Sequence, residues 1–210
     1  GILALPLLTA MRARYPDISL QLTEELTGNL IEQLKTGRIN LAILFDDGQL
    51  ASFATTPLVE EEMMFITRSG SRHAGARRSI TFARAVKARL ILPGMQHGVR
   101  PRIESVARAA GLTLDNVIEI SSVTIMKSAI LADIGATILP VAPLLPEIKR
   151  GEMNAYSISG EKLSRTLTLC ASKNIPLTTA AAAVERLVLE VTDELCRSGQ
   201  WLHAKILARP

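Results

Sequence analysis

Cysteine and histidine are scarce in this chain, and their spacing excludes several kinds of site. The 210 residues contain two cysteines and three histidines. Cys170 and Cys196 lack the CxxC spacing of a zinc or redox site, and His73, His97 and His203 form no HExxH motif. We therefore expect no metal and no cofactor, and we interpret the cysteines as a reduced cytosolic pair that serves in packing.

Enzyme motifs and long apolar runs are also lacking. The sequence has no Gly-x-Ser-x-Gly, P-loop or GxGxxG segment. The adjacent aspartates Asp46 and Asp47 precede Gly48, an arrangement typical of a turn. We therefore predict that the chain is not an enzyme. Charged residues, Gly or Pro interrupt every apolar run before the roughly 18 residues that a membrane-spanning helix needs, so we expect no membrane contact.

Charge is present in both signs, and neither sign dominates strongly. The net charge is +4, and the densest basic run is Arg72, Arg77 and Arg78 in a loop rich in Gly, Ser and Ala. We interpret this run as a solvated loop rather than a nucleic-acid surface. The acidic run over residues 60–62 is interpreted as an exposed strand edge that discourages unwanted pairing.

The composition and the first residues place the chain among globular fragments. It is 48% hydrophobic and 21% charged, which is enough apolar material for a substantial core. It begins at Gly1 without a Met, and the segment lacks the basic start and small-residue cleavage site of a signal peptide. We expect a fragment of a longer cytoplasmic protein.

A first strand–helix–strand unit is predicted near the start of the chain. Apolar residues at Ile18, Leu20 and Leu22 alternate with polar ones, as in a half-buried strand. A helix follows, with Thr27 as its N-cap and a glycine at its end, and a strand then runs over residues 39–45. A connection of this length requires parallel pairing of the two strands and a right-handed crossover.

A second unit of the same kind is predicted about a hundred residues later. A strand over residues 117–120 is followed by the candidate caps Ser121, Ser122 and Thr124, and then by a helix over 125–132 and a strand over 136–139. One cap explains one hydroxyl, so three hydroxyls in four residues leave a surplus.

The remaining pattern indicates two α/β lobes joined by two crossing strands. We predict lobe I over residues 1–67 and 170–210 and lobe II over residues 68–169. Further elements are expected as a helix ending at Tyr15-Pro16, an extended run over 63–67, strands over 90–92 and 166–171, and helices over 99–110 and 178–196. Ligands of such sheets bind outside the carboxyl ends of the strands.

Several segments resemble, in order, landmarks of the effector domain of LysR-type transcription regulators. The resemblance covers nearly the whole chain, and its spacing is more specific than any single piece. The matching segments are Leu5-Pro6-Leu7-Leu8, Arg14-Tyr15-Pro16-Asp17-Ile18, Gly37-Arg38-Ile39-Asn40-Leu41-Ala42-Ile43, Leu90-Ile91-Leu92-Pro93 and Gly135-Ala136-Thr137-Ile138-Leu139-Pro140. Within the family, the last two segments are most similar to the nitrogen-assimilation-control group.

The resemblance implies a fold, a function and partners. It implies a two-lobed periplasmic-binding-protein-like fold of type 2 with Rossmann-like lobes, and a small anionic or polar effector held between the lobes. It also implies a homodimer or homotetramer with side-by-side antiparallel dimers, built from the first helix and the nearby strand of lobe I against the helix over 99–110. The apolar side of Leu7, Leu8 and Met11 is compatible with this contact and with burial in the core. Promoter DNA would be contacted only by a winged helix-turn-helix absent from this chain, as is most of the first strand of lobe I.

The candidate ligand residues combine the two helix starts with a glycine-containing loop. Helix N-termini suit anions because their free N–H groups and dipole favour negative charge. Arg100 is a further candidate as a carboxylate partner, although a solvated arginine is the simpler interpretation. The predicted set is Thr27 and Gly28 in lobe I, and Pro93, Gly94, Gln96, His97, Ser121, Ser122 and Thr124 in lobe II.

Simpler interpretations and other functions stay open at this point. Thr27 and Ser122 can be plain N-caps, and the loop over residues 93–98 can be a surface turn. The chain could also be an effector-independent oligomerisation scaffold of such a regulator, or a free-standing solute-binding receptor.

Overall fold

The chain folds into two compact α/β units. The structure, a computed structural model, describes residues 2–25, 27–46, 48, 50–73, 78–95 and 98–209. Unit 1 comprises residues 1–61 and 165–210, and unit 2 comprises residues 62–164. The chain passes between them at 61/62 and 164/165, whereas the sequence was divided at 67/68 and 169/170. The lobe limits suggested by the sequence thus lie a few residues further along the chain.

Seven helices and ten strands account for most of the described residues. The helices are α1 (Ala4–Arg14), α2 (Thr27–Lys35), α3 (Phe82–Val86), α4 (Val99–Ala109), α5 (Val123–Leu131), α6 (Leu145–Lys149) and α7 (Thr179–Arg197). The strands are β1 (Leu41–Phe45), β2 (Phe53–Glu62), β3 (Met64–Arg68), β4 (Ser79–Thr81), β5 (Leu90–Leu92), β6 (Val117–Glu119), β7 (Thr137–Leu139), β8 (Met153–Ser159), β9 (Ser164–Ser172) and β10 (Ala204–Ile206). No helix in this part of the chain is both long and apolar enough to cross a membrane.

Unit 1 contains a four-stranded sheet in the order β1-β9-β2-β10. β1 pairs with β9 in antiparallel register, and β10 pairs with β2 in the same way. Because successive side chains of a strand point to opposite faces, Ala42 and Leu44 join a cluster with Leu34 of α2, while Leu41 and Ile43 pack on the other cluster, with α1 and α7. Both faces of the sheet are therefore covered by helices.

The predicted strand over residues 18–23 is not a strand in the structure. Residues 19–25 have no regular secondary structure and form no ladder among the described residues, and Leu22 is exposed. β1, the expected parallel partner, pairs with β9 alone in the described part of the chain. The alternating pattern was present, but an alternating segment becomes a strand only where a neighbouring backbone accepts and donates its hydrogen bonds.

In unit 2, the two segments that correspond to this predicted pair are separated by a third strand, β5. β5 lies beside β6 in parallel, and its first residue, Leu90, forms a parallel bridge with Ala136 just ahead of β7. The second predicted crossover, from β6 through α5 to residues 136–139, therefore spans β5. In unit 1 no described strand occupies the corresponding place between the 18–23 segment and β1.

The rest of unit 2 is a mixed sheet in the order β4-β8-β3-β7 over one continuous apolar core. Gly135 is needed where the chain enters β7, because a Cβ there would lie 2.6 Å from the Arg89 carbonyl oxygen and 3.2 Å from Ile91 Cγ1. The Thr137 hydroxyl donates a 2.7 Å hydrogen bond to the Ile91 carbonyl oxygen, which ties this strand to β5.

A buried ion cluster in unit 1 corrects the interpretation of the acidic run. Glu61 is only 2% exposed, and β2 is an inner strand between β9 and β10. Arg165 Nε donates to Glu61 Oε2 at 2.8 Å, and Arg165 Nη2 lies 2.7 Å from the same oxygen. The Trp201 indole N–H donates to the other oxygen, Glu61 Oε1, at 2.8 Å. Arg165 also stacks 3.8 Å from the centroid of the Phe45 ring. We call these four residues the Glu61 cluster.

Candidate ligand-binding site

The carboxyl ends of β5 and β6 bring two predicted segments together in unit 2. The strands are parallel, so both ends lie at the same edge. β5 continues into Pro93 and Gly94, which are buried, and β6 continues through Ile120 into Ser121. The Gly94 N–H donates to Ser121 Oγ at 3.4 Å, and the Ile120 N–H donates to the Leu92 carbonyl oxygen at 2.9 Å. The loop and the helix start are thus held side by side.

The hydroxyl groups at this edge have different roles. Ser121 accepts from the loop, and Ser122 is the N-cap of α5, with its Oγ accepting from the Ile125 N–H at 3.4 Å. The side chain of Thr124 is exposed, and no described residue is bonded to its hydroxyl group. The expected surplus of hydroxyls is therefore one group, on Thr124. Gln96 and His97 lie outside the described residues.

Neutral donors dominate the chemistry of this edge. The first N–H groups of α5 and its dipole favour negative charge. Arg100, the candidate carboxylate partner, is already paired, since its Nε lies 2.9 Å from Glu104 Oε1 and its Nη1 lies 2.9 Å from Glu119 Oε2. A ligand would have to displace these carboxylates to use the guanidinium group, so Arg100 is better described as a structural residue.

Two exposed apolar side chains beside these donors escaped the sequence analysis. Met95 follows Gly94 directly, and Val123 follows the cap residue Ser122; both are exposed. The available signal was an apolar residue in each otherwise polar turn. Their presence means that a ligand at this edge can contact apolar surface as well as N–H and hydroxyl groups.

The predicted site residues of unit 1 lie at a different kind of helix start. α2 begins at Thr27 itself, so the threonine stands in the first turn and does not precede the helix as the predicted cap does. Gly28 is exposed, and a Cβ at this position would meet nothing within 4 Å. Glu25 lies two residues ahead of the helix, and its Oε2 accepts from Gln33 Nε2 at 2.9 Å. This carboxylate makes the start of α2 less favourable for an anion than the start of α5.

An open depression on the outer side of α7 differs in chemistry from the edge of β5 and β6. Several of its groups are already engaged: Glu190 pairs with Arg14, and Asp193 pairs with Arg209 through two contacts of 2.5 and 3.1 Å. The residues that line the depression are Glu190, Asp193, Glu194, Arg197 and Ser198. Its acidic lining does not suit an anionic ligand.

The two thiols are free and poorly suited to reaction. Burial, with a smaller contribution from the charge of Asp46, raises the pKa of the Cys170 thiol to about 12. Burial also raises the pKa of Cys196, and the charge of Asp193 acts in the same direction. Because the thiolate is the reactive form, neither cysteine resembles an activated nucleophile. Among the described residues no group of three or more His, Cys, Asp or Glu side chains could hold a metal ion.

An α/β unit with a loop and a helix start held together at the carboxyl ends of parallel strands is typical of small-molecule-binding modules. Comparison with known proteins agrees with this class. The sequence profile of the LysR substrate binding domain matches residues 2–193. The chain belongs to this family.

The relatives of the chain are transcription regulators rather than enzymes. The nitrogen assimilation regulatory protein nac of Klebsiella aerogenes is 27% identical over 193 residues, which are 91% of this chain and 61% of that protein. The hydrogen peroxide-inducible genes activator of Haemophilus influenzae is 25% identical over 197 residues, 93% of this chain and 64% of that protein. The chain thus spans about three fifths of the length of the curated relatives it matches.

Solved structures confirm the predicted two-lobed fold of LysR regulatory domains. The effector binding domain of QuiR in complex with shikimate aligns with a TM-score of 0.79 at 20% identity, covering 91% of this chain and 90% of that one. The regulatory domain of Synechocystis CcmR in complex with 2-PG aligns with a TM-score of 0.80 at 17% identity, covering 91% and 92%.

Proposed function

We propose that this chain is the effector-sensing and oligomerisation domain of a cytoplasmic LysR-type transcription regulator. The family match and the regulators among its relatives support this function. Promoter DNA would be bound by a winged helix-turn-helix in the part of the protein outside this chain. The relative from Klebsiella supports placing the regulator near the nitrogen-assimilation group.

The effector is a small anionic or polar molecule at the edge formed by β5, β6 and the start of α5. The observation that carries this proposal is the Gly94–Ser121 contact, which holds the buried Gly94 against a helix start where the Thr124 hydroxyl has no described partner. Neighbouring folds bound to shikimate and to 2-PG support a ligand of this size and polarity. The start of α2, with Thr27 and Gly28, is a second candidate that the same experiment tests separately.

A thermal-shift screen of the chain against small carboxylates, phosphorylated acids and amino acids tests this function. A ligand at 100 times its dissociation constant should add about 2.7 kcal/mol to the free energy of unfolding. The Thr124→Val variant should lose much of the shift while keeping the unliganded melting temperature, because this hydroxyl has no described partner. Thr113→Val, at an exposed threonine elsewhere in unit 2, is the matched control.

The outcomes separate the alternatives. A shift that Thr124→Val and Ser121→Ala leave unchanged, but Thr27→Val abolishes, would move the site to unit 1. A screen without any shift would contradict effector sensing and favour an effector-independent scaffold.

We expect no thiol-based response in this chain, although one relative is named for induction by hydrogen peroxide. Peroxide reacts with thiolates, and the pKa of both thiols is raised. Transcription driven by the whole regulator should therefore be the same before and after mild peroxide treatment. A change in transcription on peroxide treatment that disappears in the Cys196→Ser variant would contradict this.

Dimerisation through α1 is proposed with a changed set of contact residues. Leu7 and Met11 are buried in the core of unit 1, so they are not available to a partner. Leu5 and Leu8 are 72% and 44% exposed on the same helix. Light scattering should show that Leu5→Glu/Leu8→Glu lowers the molar mass of the oligomer, whereas Leu202→Glu, at an exposed leucine remote in sequence from α1, should leave it unchanged.

A further inference from the structure

One segment of unit 2 concentrates positive charge to a degree that the sequence analysis underestimated. Between Arg68 and Arg89 the chain has seven of its 24 basic residues and none of its 20 acidic ones. Outside this segment, acidic residues outnumber basic ones. The positive net charge of the chain therefore originates in about a tenth of its length.

The structure leaves most of these cations without partners. Arg68 pairs with Asp133 at 3.6 Å. The side chains of the other described cations are exposed and form no ion pair or hydrogen bond with any described residue; they are Arg72, Arg78, Arg84, Lys87 and Arg89. Some arginines elsewhere, such as Arg100 and Arg165, are paired, whereas exposed ones in unit 1, such as Arg38 and Arg186, also lack a partner among the described residues; what distinguishes this segment is its lack of acidic residues. We call the five unpaired cations the basic strip.

Local structure keeps the basic strip at the surface. β4 is an edge strand that pairs in parallel with β8, and α3 follows it directly. α3 buries Phe82, Ala85 and Val86, so Arg84 and Lys87, three residues apart, lie together on its exposed side.

Among the described residues, few carboxylates adjoin the basic strip in sequence or in strand register, and Asp133 is already paired with Arg68. Asp115 is next to Asn116, whose carbonyl oxygen accepts from the Leu90 N–H beside Arg89. Glu161 follows the end of β8, two residues beyond the Ser159 that pairs with Thr81. These two carboxylates leave the strip with an excess of positive charge.

We propose that the basic strip binds the phosphate backbone of duplex DNA without reading its sequence. Exposed arginines offer planar N–H forks that match phosphate oxygens, and they need no fixed partner in the free protein. The one aromatic residue of the segment, Phe82, is buried, so the strip lacks the stacking platform that single-stranded nucleic acid favours. This binding goes beyond the proposed function, in which DNA contact belongs to a segment outside the chain.

The test measures fluorescence anisotropy of a labelled 30-base-pair duplex of mixed sequence, titrated with this chain between 50 and 200 mM KCl. Five phosphate contacts predict a slope of log K against log salt of about −4.5, which is a loss of about 500-fold over this range. Arg78→Gln/Arg84→Gln/Lys87→Gln removes three contacts and should reduce the slope to about −1.8. Circular dichroism should show an unchanged fold, because all three side chains are exposed.

The control variant Arg38→Gln/Arg186→Gln/Lys205→Gln removes the same charge from exposed positions of unit 1. Its slope should equal that of the unmodified chain. An equal reduction in both triple variants would overturn the proposal, since binding would then follow net charge alone. Absence of duplex binding at 50 mM KCl would also overturn it, and so would preferential binding to phosphatidylserine vesicles. Because no effector is involved, these outcomes are independent of the screen for effector sensing.

Discussion

Replacement of Arg165 by Met tests the energetics of the Glu61 cluster. The variant keeps much of the side-chain length but removes the guanidinium that lies 2.7 and 2.8 Å from Glu61 Oε2. The carboxylate, only 2% exposed, would keep the Trp201 N–H as its described partner and would have no neutralising charge. Removing one member of a buried ion pair costs about 3–5 kcal/mol. The total stability of a domain is about 5–15 kcal/mol, so this is a large fraction.

The assay is urea unfolding followed by tryptophan fluorescence. Trp201 is the only tryptophan in the sequence, and it lies in the cluster itself, so its emission reports unfolding of unit 1 directly. The matched control is Arg197→Met. Arg197 is 75% exposed and lies 3.5 Å from Asp193, so its loss should cost less than about 1 kcal/mol.

The double variant Glu61→Gln/Arg165→Met decides whether the cost comes from the unpaired charge. A neutral glutamine can still accept from the Trp201 N–H, so the double variant should be more stable than Arg165→Met alone. The reasoning would be refuted if Arg165→Met cost no more stability than Arg197→Met. It would also be refuted if the separate effects of Glu61→Gln and Arg165→Met simply added up in the double variant.

Three further predictions follow from local geometry. Gly135→Ala should destabilise unit 2 by about 1–3 kcal/mol in thermal melts because its Cβ meets the Arg89 carbonyl oxygen, whereas Gly28→Ala, with open space around it, should be neutral or stabilising by up to about 1 kcal/mol. Thr178→Ala should cost about 1 kcal/mol, since Thr178 Oγ1 accepts from the Ala181 N–H at 3.1 Å as the N-cap of α7; Thr179→Ala should cost less, and equal effects would contradict the cap. Cys170 should resist thiol reagents at pH 8 until the chain is unfolded, because burial raises the pKa of its thiol. The unfolded thiol loses its proton near 9.0 and the folded one only near 12, so the free energy of unfolding should fall from pH 9 towards 12. The Cys170→Ala variant should lack this part of the fall.

Sequence patterns predicted the elements that depend on local or strongly periodic signals. The helices at 99–110 and 178–196 and the strands at 90–92 and 136–139 are present within one or two residues. Their apolar spacing, glycine stops and capping residues act over one or two turns of chain. The helix start at Ser122 was found for the same reason.

Patterns that depend on a distant partner were interpreted less well. The segment over residues 18–23 alternates as a strand but lacks a ladder, and the run over 60–62 looked like a charged edge although Glu61 is buried. Glu61 finds its partners about a hundred residues or more away, at Arg165 and Trp201, which no local pattern can show. Arg100 is a mixed case: its partner Glu104 lies four residues along the same helix and was visible in the sequence, whereas its other partner, Glu119, comes from β6.

Only the part of the candidate site that has a local sequence signal was predicted. Ser121, Ser122 and Gly94 were identified because helix starts and glycine loops have local signatures, and the structure brings Gly94 and Ser121 into contact. The exposure of Met95 and Val123 depends on how their neighbours pack, so the sequence alone did not reveal it.

The position of β1 has a consequence for handling the chain in solution. Leu41–Phe45 is an uncharged strand, Leu-Ala-Ile-Leu-Phe, and one of its edges pairs with no strand among the described residues. Natural proteins usually protect such an edge with charge, proline or a bulge. The five residues of β1 include neither a charged residue nor a proline. Uncharged β-prone segments with free backbone groups nucleate cross-β aggregation. The chain should therefore be stored dilute to keep it monodisperse.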